Sequence, residues 1–285
     1  MVELWDSVEP RSVAEAIDCA EAHDALRLTA VLTALDAAHM PIDITRGDRL
    51  AETGQMAAGG DERHLAEVLA RQIEYATGLV LHGGDEEDAD LARAVLGHLA
   101  PVTPVFGVDT LPEVTGAALC TGTLAERVDP ATAQLPCDTQ TDEVTTVVWH
   151  RLRPLHPARL FEAVDELATV SVRSRGRFWL ATRHECMLAW DAVAGIVSVE
   201  DAGPWLAALP EAAWDMVSLP AAWPPPSTGT RSPATACSTW SSPAPTSIAS
   251  ASTRCSTPAC SPRKKPWPAT PRGPDTTTRS PTSST

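Results

Sequence analysis

The sequence predicts an α/β protein: a parallel sheet in the first hundred residues, then a small α+β unit, then a tail without a fold. Three observations carry this reading. Short apolar runs alternate with helical patterns up to residue 106, as βαβ units of a parallel sheet do. A second pattern of strand, Pro-bounded helix and strands begins at Val144. The charge balance then breaks near residue 216. Met1 to Asp215 holds 36 acidic residues against 15 arginines, a net of −21, whereas Met216 to Thr285 holds one acid, Asp275, against seven basic residues, a net of +6.

Taken in order, Val2 to Trp5 reads as a short strand and Ser12 to His23 as a helix. Leu28 to Leu35 is an apolar run, hence a buried strand. Asp61 to Ala76 is an amphipathic helix, because Leu65, Val68, Leu69, Gln72, Ile73 and Ala76 follow the 3.6 period. Gly78 to Leu81 is a buried strand, Asp88 to Leu99 a helix, and Val102 to Phe106 a short strand. Gly107 to Asp142 is loop-like and reads as a linker. In the second unit a strand from Val144 to His150 precedes a helix from Pro157 to Leu167. Strands around Val172, Phe178 to Ala181 and Ile196 to Val199 follow. The expected units are therefore 1–106, a linker at 107–143, 144–216, and a disordered tail at 217–285.

Composition excludes several function classes. A chain of 285 residues with 44% hydrophobic content buries a real core. The formal net charge of −15 argues against direct nucleic-acid binding, which needs a basic face. No run of 18 apolar residues is present, so no membrane partner is expected. The start has no basic n-region or small-residue cleavage site, and the seven cysteines form no CxxC pair; a cytoplasmic, reducing setting is expected. Cys19, Cys120, Cys137 and Cys186 are too scattered for a zinc pattern and read as small core hydrophobes. The tail is rich in Pro, Ser, Thr and Ala and lacks Phe and Tyr, so it buries too little apolar surface to offset its chain entropy.

The second unit carries a specific resemblance. Arg153-Pro154-Leu155-His156-Pro157-Ala158-Arg159-Leu160, then Arg173-Ser174-Arg175-Gly176-Arg177-Phe178-Trp179-Leu180-Ala181-Thr182-Arg183, then Gly195 and Ala202-Gly203-Pro204-Trp205 stand in order over about 60 residues. They resemble the C-terminal domain of the CobW-like GTPase and metallochaperone family. Taken as residues alone, Arg153 and His156 beside two prolines fix a strand-to-helix turn, and Trp179 and Trp205 are core. The resemblance adds partner binding as a second role for Arg153, His156, Arg159, Trp179, Gly195, Gly203 and Trp205.

The first unit resembles the back half of that family's P-loop GTPase domain. Asp61-Glu62-Arg63, then Gln72-Ile73-Glu74-Tyr75-Ala76, is similar to its Asp-x-Arg…Gln-Ile-Glu-x-Ala helix. Leu79-Val80-Leu81-His82-Gly83-Gly84-Asp85 stands where the family has a strand ending in Asn-Lys-x-Asp. By that resemblance Asp85 is a vestigial guanine-binding residue, with His82 and Gly83 in place of the Asn and Lys. Glu3 in Glu3-Leu4-Trp5-Asp6-Ser7-Val8-Glu9-Pro10 is a vestigial magnesium-side residue, for which a helix-capping role has equal weight. The Trp5-to-Pro10 variant is most similar to the branch that recruits a ribosome hibernation factor under zinc starvation.

What the resemblance implies is GTP and Mg²⁺ binding in the intact family, zinc handling, and a protein partner: a hibernation factor and ribosome, or a metal-requiring client. The phosphate site itself is missing. A P-loop needs G-x-x-x-x-G-K-[ST], and no lysine precedes Lys264. The expectation is a remnant, truncated ahead of its P-loop and Cys-x-Cys-Cys motif, that is not catalytic and holds no metal site. The tail is expected to be frameshifted, because a shifted codon reading of Thr235 to Ala244 resembles the family's last core strand. Two other classes compete: a nucleotide-independent protein-binding module, and a hydrolase or transferase. For the latter no G-x-S-x-G, HExxH or Cys–His pair is found, and His39, His64, His98, His150 and His184 are scattered.

Overall fold

A computed structural model describes residues 1–19, 26–56, 58–110, 117–132, 139–151, 153–205, 208–209, 238–240 and 243–245. The front of the chain forms a three-stranded parallel sheet in the order β1 (Leu32–Asp36), β2 (Gly78–His82), β3 (Val105–Gly107). Its central strand is apolar and buried from Gly78 to Leu81. Gly78 sits in close packing: a Cβ there would lie 2.9 Å from Leu32 Cδ2 and 3.2 Å from the Phe106 ring.

Helix α1 spans Pro10–Asp18, and the one-turn helices α2 and α3 span Met40–Asp43 and Leu50–Thr53. Helices α4 (Leu65–Tyr75) and α5 (Glu86–Leu99) carry the larger apolar faces. Ile73 and Ala66 of α4, Leu96 and Leu99 of α5, and Leu35, Leu79 and Leu81 of the sheet share one core with Ile44. The sequence places the start of α4 at Asp61. The structure delays it to Leu65, because the Arg63 carbonyl accepts from Leu50 N at 3.0 Å and Leu65 N donates to the Asp48 carbonyl at 3.0 Å, a bridge that holds 61–64 extended.

Three other differences have local causes. Val2 to Trp5 is exposed coil, not a strand; the loop that follows is held by side chains of α4 instead of a ladder. Within 107–143 the chain forms α6 (Thr121–Val128), whose Leu124 packs on Ala14 and Tyr75. Two turns opening on Thr121-Gly122-Thr123 give too short a period to stand out. The predicted helix to His23 ends at Asp18, and residues 20–25 lie outside the described residues.

The second unit is α+β. Strands β4 (Thr139–Thr141), β5 (Val144–Thr146) and β6 (Trp149–Arg151) precede helix α7 (Pro157–Thr169). An antiparallel sheet then runs β7 (Arg173–Leu180), β8 (Arg183–Val193), β9 (Ile196–Pro204). Strand β8 escapes sequence reading because both its faces are covered. Leu188, Trp190 and Ala192 join the core beneath α7, while Ala189 and Val193 are buried on the opposite side, so no polar alternation shows.

Beyond residue 216, where composition assigns no fold, two short strands are present. Ser238–Trp240 (β10) pairs antiparallel with β6, and Pro243–Pro245 (β11) pairs antiparallel with β5. The remainder of the expected tail lies outside the described residues. Among the described residues no helix is long and apolar enough to cross a membrane.

Candidate functional site

The C-terminal ends of parallel strands are where an α/β sheet binds ligands. Here β1 ends at Asp36 and β2 leads into Gly83, Gly84 and Asp85. Asp36 takes the amides of Ala38 (2.9 Å) and His39 (3.4 Å) and lies 3.3 Å from His39 Nδ1. Partial burial works against its charge, but His39 and the two amides hold its carboxyl below the usual range. Gly83 and Gly84 have φ of 66° and 69°. A Cβ on Gly83 would touch the Asp36 carboxylate at 3.3 Å, and one on Gly84 would clash with Asp88 Cβ at 2.8 Å.

Asp85 is the N-cap of α5. Its Oδ1 accepts from Asp88 N at 3.0 Å, and Asp88 Oδ2 accepts from Asp85 N at 3.1 Å. Glu86, Glu87 and Asp88 fill the first turn, so the helix start presents carboxylates to any approaching group. The residues present therefore do not fit a nucleotide phosphate at this edge. Glu3 is exposed on the opening coil. Among the described residues, no group of three or more His, Cys, Asp or Glu side chains is placed to hold a metal ion.

A second polar construction joins α4 and the segment ahead of it to the opening loop. Arg63 donates to Glu9 Oε1 (3.1 Å), to the Ser7 carbonyl (2.9 Å) and to both oxygens of Asp61 (2.9 and 2.7 Å). Its hydrogen bond holds the Asp61 carboxyl below the ordinary value. Gln72 Nε2 donates to the carbonyls of Asp6 (2.7 Å) and Val8 (3.0 Å). The Asp6-to-Glu9 loop is thus clamped along the face of α4.

Two residues further on, Glu74 faces the other way. Its Oε1 accepts from Arg173 Nε at 2.7 Å, and its Oε2 accepts from Arg173 Nη2 at 3.1 Å and lies 3.1 Å from Arg175 Nη1. Arg173 also pairs with Asp191 of β8. All three of Glu74, Arg173 and Arg175 are buried. Burial opposes charge on Arg173, but Glu74 and Asp191 outweigh it and raise its pKa. Arg175 goes the other way: burial lowers its pKa despite Glu74. One carboxylate shared by two guanidiniums explains the contrast, since Arg173 takes the bidentate geometry and Asp191 besides.

The sequence-derived motif residues fall around this sheet. On β7 the side chains of Arg173, Arg175 and Arg177 point to the face opposite α7, where Arg173 meets Glu74 of α4, Arg175 reaches the Arg127 carbonyl (2.8 Å) and Arg177 the Ala131 carbonyl. Ser174, Gly176 and Phe178 alternate to the α7 side, where Ser174 Oγ accepts from Trp190 Nε1 at 3.0 Å. Trp179 and Trp205 are buried in an edge-to-face pair with centroids 5.7 Å apart, and Trp205 Nε1 donates to the Cys186 carbonyl at 3.1 Å. His156 occupies the N-cap position of α7 without a side-chain cap, and Arg159 is exposed one turn on. Arg153 is half-buried in the turn, where Leu155 N donates to the Trp179 carbonyl and the Leu155 carbonyl accepts from Ala181 N. Gly195 (φ 84°) turns β8 into β9, and Gly203 (φ 88°) accompanies the irregular end of that pair.

Sequence reasoning missed the joining role of Glu74, Arg173, Arg175 and Asp191. The signal was visible: three arginines at i, i+2 and i+4 of a strand make one face wholly cationic, and such a face is either solvated or paired. It also misplaced two cysteines, since Cys19 and Cys120 are exposed and not core. Cys186 is half-buried in β8.

Residues 144–231 match the cobalamin synthesis protein CobW C-terminal domain. Over that segment the chain is similar to the CobW-like family. Over 153 residues it is 37% identical to the zinc chaperone Rv0106 of Mycobacterium tuberculosis, covering 52% of this chain and 37% of that protein. The uncharacterized protein Mb0109 of Mycobacterium bovis aligns with the same identity and coverage. The chain thus spans little more than a third of the length of these relatives. Among solved structures, Zn(II)-bound YjiA GTPase from E. coli covers 87% of this chain and 68% of its own, with a TM-score of 0.33 and 14% identity. A Zn(II)-bound triple mutant of YjiA covers 90% and 69%, with a TM-score of 0.37 and 13% identity.

Proposed function

We propose that this CobW-like chain serves zinc handling in the cytoplasm. In this reading its C-terminal sheet docks a protein partner, and α4 couples that sheet to the Asp6-to-Glu9 loop. The supporting observation is the 37% identity, over 153 residues, to a protein named a zinc chaperone. The geometry fits the division of labour. Gln72 and Glu74 sit two residues apart on one helix, and one holds the loop while the other holds the C-terminal sheet.

Nucleotide chemistry is outside the residues of this chain. GTP and Mg²⁺ need a phosphate cradle, and neither a lysine before Lys264 nor a carboxylate-free strand end supplies one. Calorimetry with GTP and Mg²⁺ should show no micromolar binding by this chain; such binding would overturn the reading. The finer assignment is to the branch that recruits a ribosome hibernation factor in zinc limitation, and it rests on the Trp5-to-Pro10 variant. Joining the chain to a P-loop segment from a relative, with the tail codons restored, should change zinc content and ribosome sedimentation under zinc depletion. A restored protein that alters neither would refute it.

A frameshifted tail remains part of this proposal. The segment whose shifted reading resembles the family's last strand, 235–244, is also where β10 and the first residues of β11 pair with β6 and β5. Sequencing the DNA across residues 216–285 decides it: an in-frame tail in independent isolates would remove the idea. A nucleotide-independent binding module is the second reading, favoured by the buried Glu74 junction, which is complete without any ligand.

A further inference from the structure

Helices α1 and α6 lie side by side and run in opposite directions. At one end Thr121 Oγ1 donates to Asp18 Oδ2. In the middle Ala14 shares a buried cluster with Leu124. At the other end Arg11 and Asp129 line one cleft. Position 18 thus matches 121, and 14 matches 124, so one number falls along α1 as the other rises along α6. Cys19 and Cys120 are the chain neighbours of the bonded pair Asp18 and Thr121, one on each helix. Both cysteines are exposed, both are reduced, and each sits at a helix end: Cys19 at the C-cap of α1 and Cys120 at the N-cap of α6.

We propose that Cys19 and Cys120 form a redox pair, closing as a disulfide across the open end of the α1–α6 helix pair. The oxidant is a low-molecular-weight disulfide. One cysteine thiolate attacks a sulfur of that disulfide and expels the first small thiol, leaving a mixed disulfide on the protein. The second cysteine thiolate then displaces the remaining small thiol and forms the intramolecular S–S bond. The protein dithiol loses two electrons and two protons, and the oxidant leaves as two thiols. The Asp18–Thr121 bond keeps the helix ends together, and closing the pair releases the Cys19 Sγ, which now donates to the Ala16 carbonyl at 2.9 Å.

The bond would act where the loop and the C-terminal sheet are both anchored. Helix α1 follows Glu9, which is held by Arg63 and Arg71. Helix α6 carries Arg127, whose side chain bonds the Ala76 carbonyl at 3.1 Å and whose own carbonyl receives Arg175. An oxidised pair staples these two supports to each other.

The test uses the full reduced chain, incubated with glutathione disulfide and mapped by peptide mass spectrometry without reduction. The expected product is a Cys19–Cys120 linked peptide, reversed by dithiothreitol and at least tenfold more abundant from the folded chain than from chain unfolded in urea. Cys19→Ser should leave Cys120 carrying glutathione as a stable mixed disulfide. Separate glutathione adducts on both cysteines of the folded chain would overturn the proposal. So would linkage of either cysteine mainly to one of the other five.

Discussion

Glu74 and Arg173 stand 99 residues apart in sequence and meet as two forks, carboxylate against guanidinium, with contacts of 2.7 and 3.1 Å. Their exposures are 3% each, so neither has water to fall back on. The first prediction concerns this pair. Glu74→Ala leaves Arg173 and Arg175 buried with one shared counter-ion, Asp191, and should destabilise the chain by about 3–5 kcal/mol. Urea denaturation of the two proteins measures it, and a loss under about 1 kcal/mol would mean that the junction opens to solvent.

The loop clamp should be felt locally. Arg63→Ala removes the donors to Glu9, Ser7 and Asp61 together, while α4 itself keeps its core face. Amide exchange at residues 6–9 should accelerate at least tenfold, with the amides of Val68 to Ile73 unchanged. Uniform acceleration across both segments would instead show that the loop supports the helix.

His98 gives a pH prediction. Its Nδ1 lies 2.6 Å from Thr146 Oγ1, its Nε2 is buried without a partner, and burial lowers its pKa from the ordinary 6.5. The unfolded chain therefore binds more protons than the folded one between that lowered value and 6.5, and stability rises with pH in that window. The contribution is full above 6.5, falls by at most about 1.4 kcal/mol per pH unit below it, and levels off under the folded value. Chemical denaturation from pH 7.5 to 4.5 should show this slope in the parent chain. His98→Gln should reduce it; identical slopes would assign the pH dependence elsewhere.

The β8–β9 turn offers a stabilising change. Ala194 and Gly195 both have positive φ, 49° and 84°, the geometry of a two-residue hairpin turn in which Asn-Gly is favoured. Ala194→Asn relieves the left-handed strain on alanine and should raise stability by about 0.5–1 kcal/mol. Gly195→Val should do the reverse. Thermal melts of the two variants are enough, and a lower midpoint for Ala194→Asn would be inconsistent with the turn described.

Asp85 is tested as a cap. Asp85→Ala should cost about 1 kcal/mol through the first turn of α5. Asp85→Ser should recover most of it, because a hydroxyl also accepts from the Asp88 amide. If serine behaves as badly as alanine, the carboxylate has work other than capping.

Much of this was legible beforehand, and the reasons differ by element. The strand Gly78–Leu81, the helix from Pro157 and the helix ending at Leu99 were clear because local pattern and tertiary burial agree there. Strand β8 was hidden by its own success, since Leu188 to Val193 is buried on both faces. Helix α6 was too short for its period to register. The site followed the same division. Asp85 and the two tryptophans were visible as residue types at motif spacing, while the role of Glu74 depends on Arg173, which only the fold brings near. Exposure of Cys19 and Cys120 was likewise not in the composition, because a cysteine in an apolar-rich stretch carries no mark of the side it faces.

The alternation along β7 has a consequence for how this chain tolerates insertion and deletion. Its even positions face the core beneath α7, and the odd positions Arg173 and Arg175 supply cations to a buried carboxylate, so the strand is read from both sides at once. A sheet with one wet face forgives a slip at that face. Here a single added or lost residue between Arg173 and Phe178 would press guanidiniums against Trp190 and take a cation away from Glu74. The strand is in this sense a ratchet with one permitted tooth, and variation in length should be confined to the turns on either side of it.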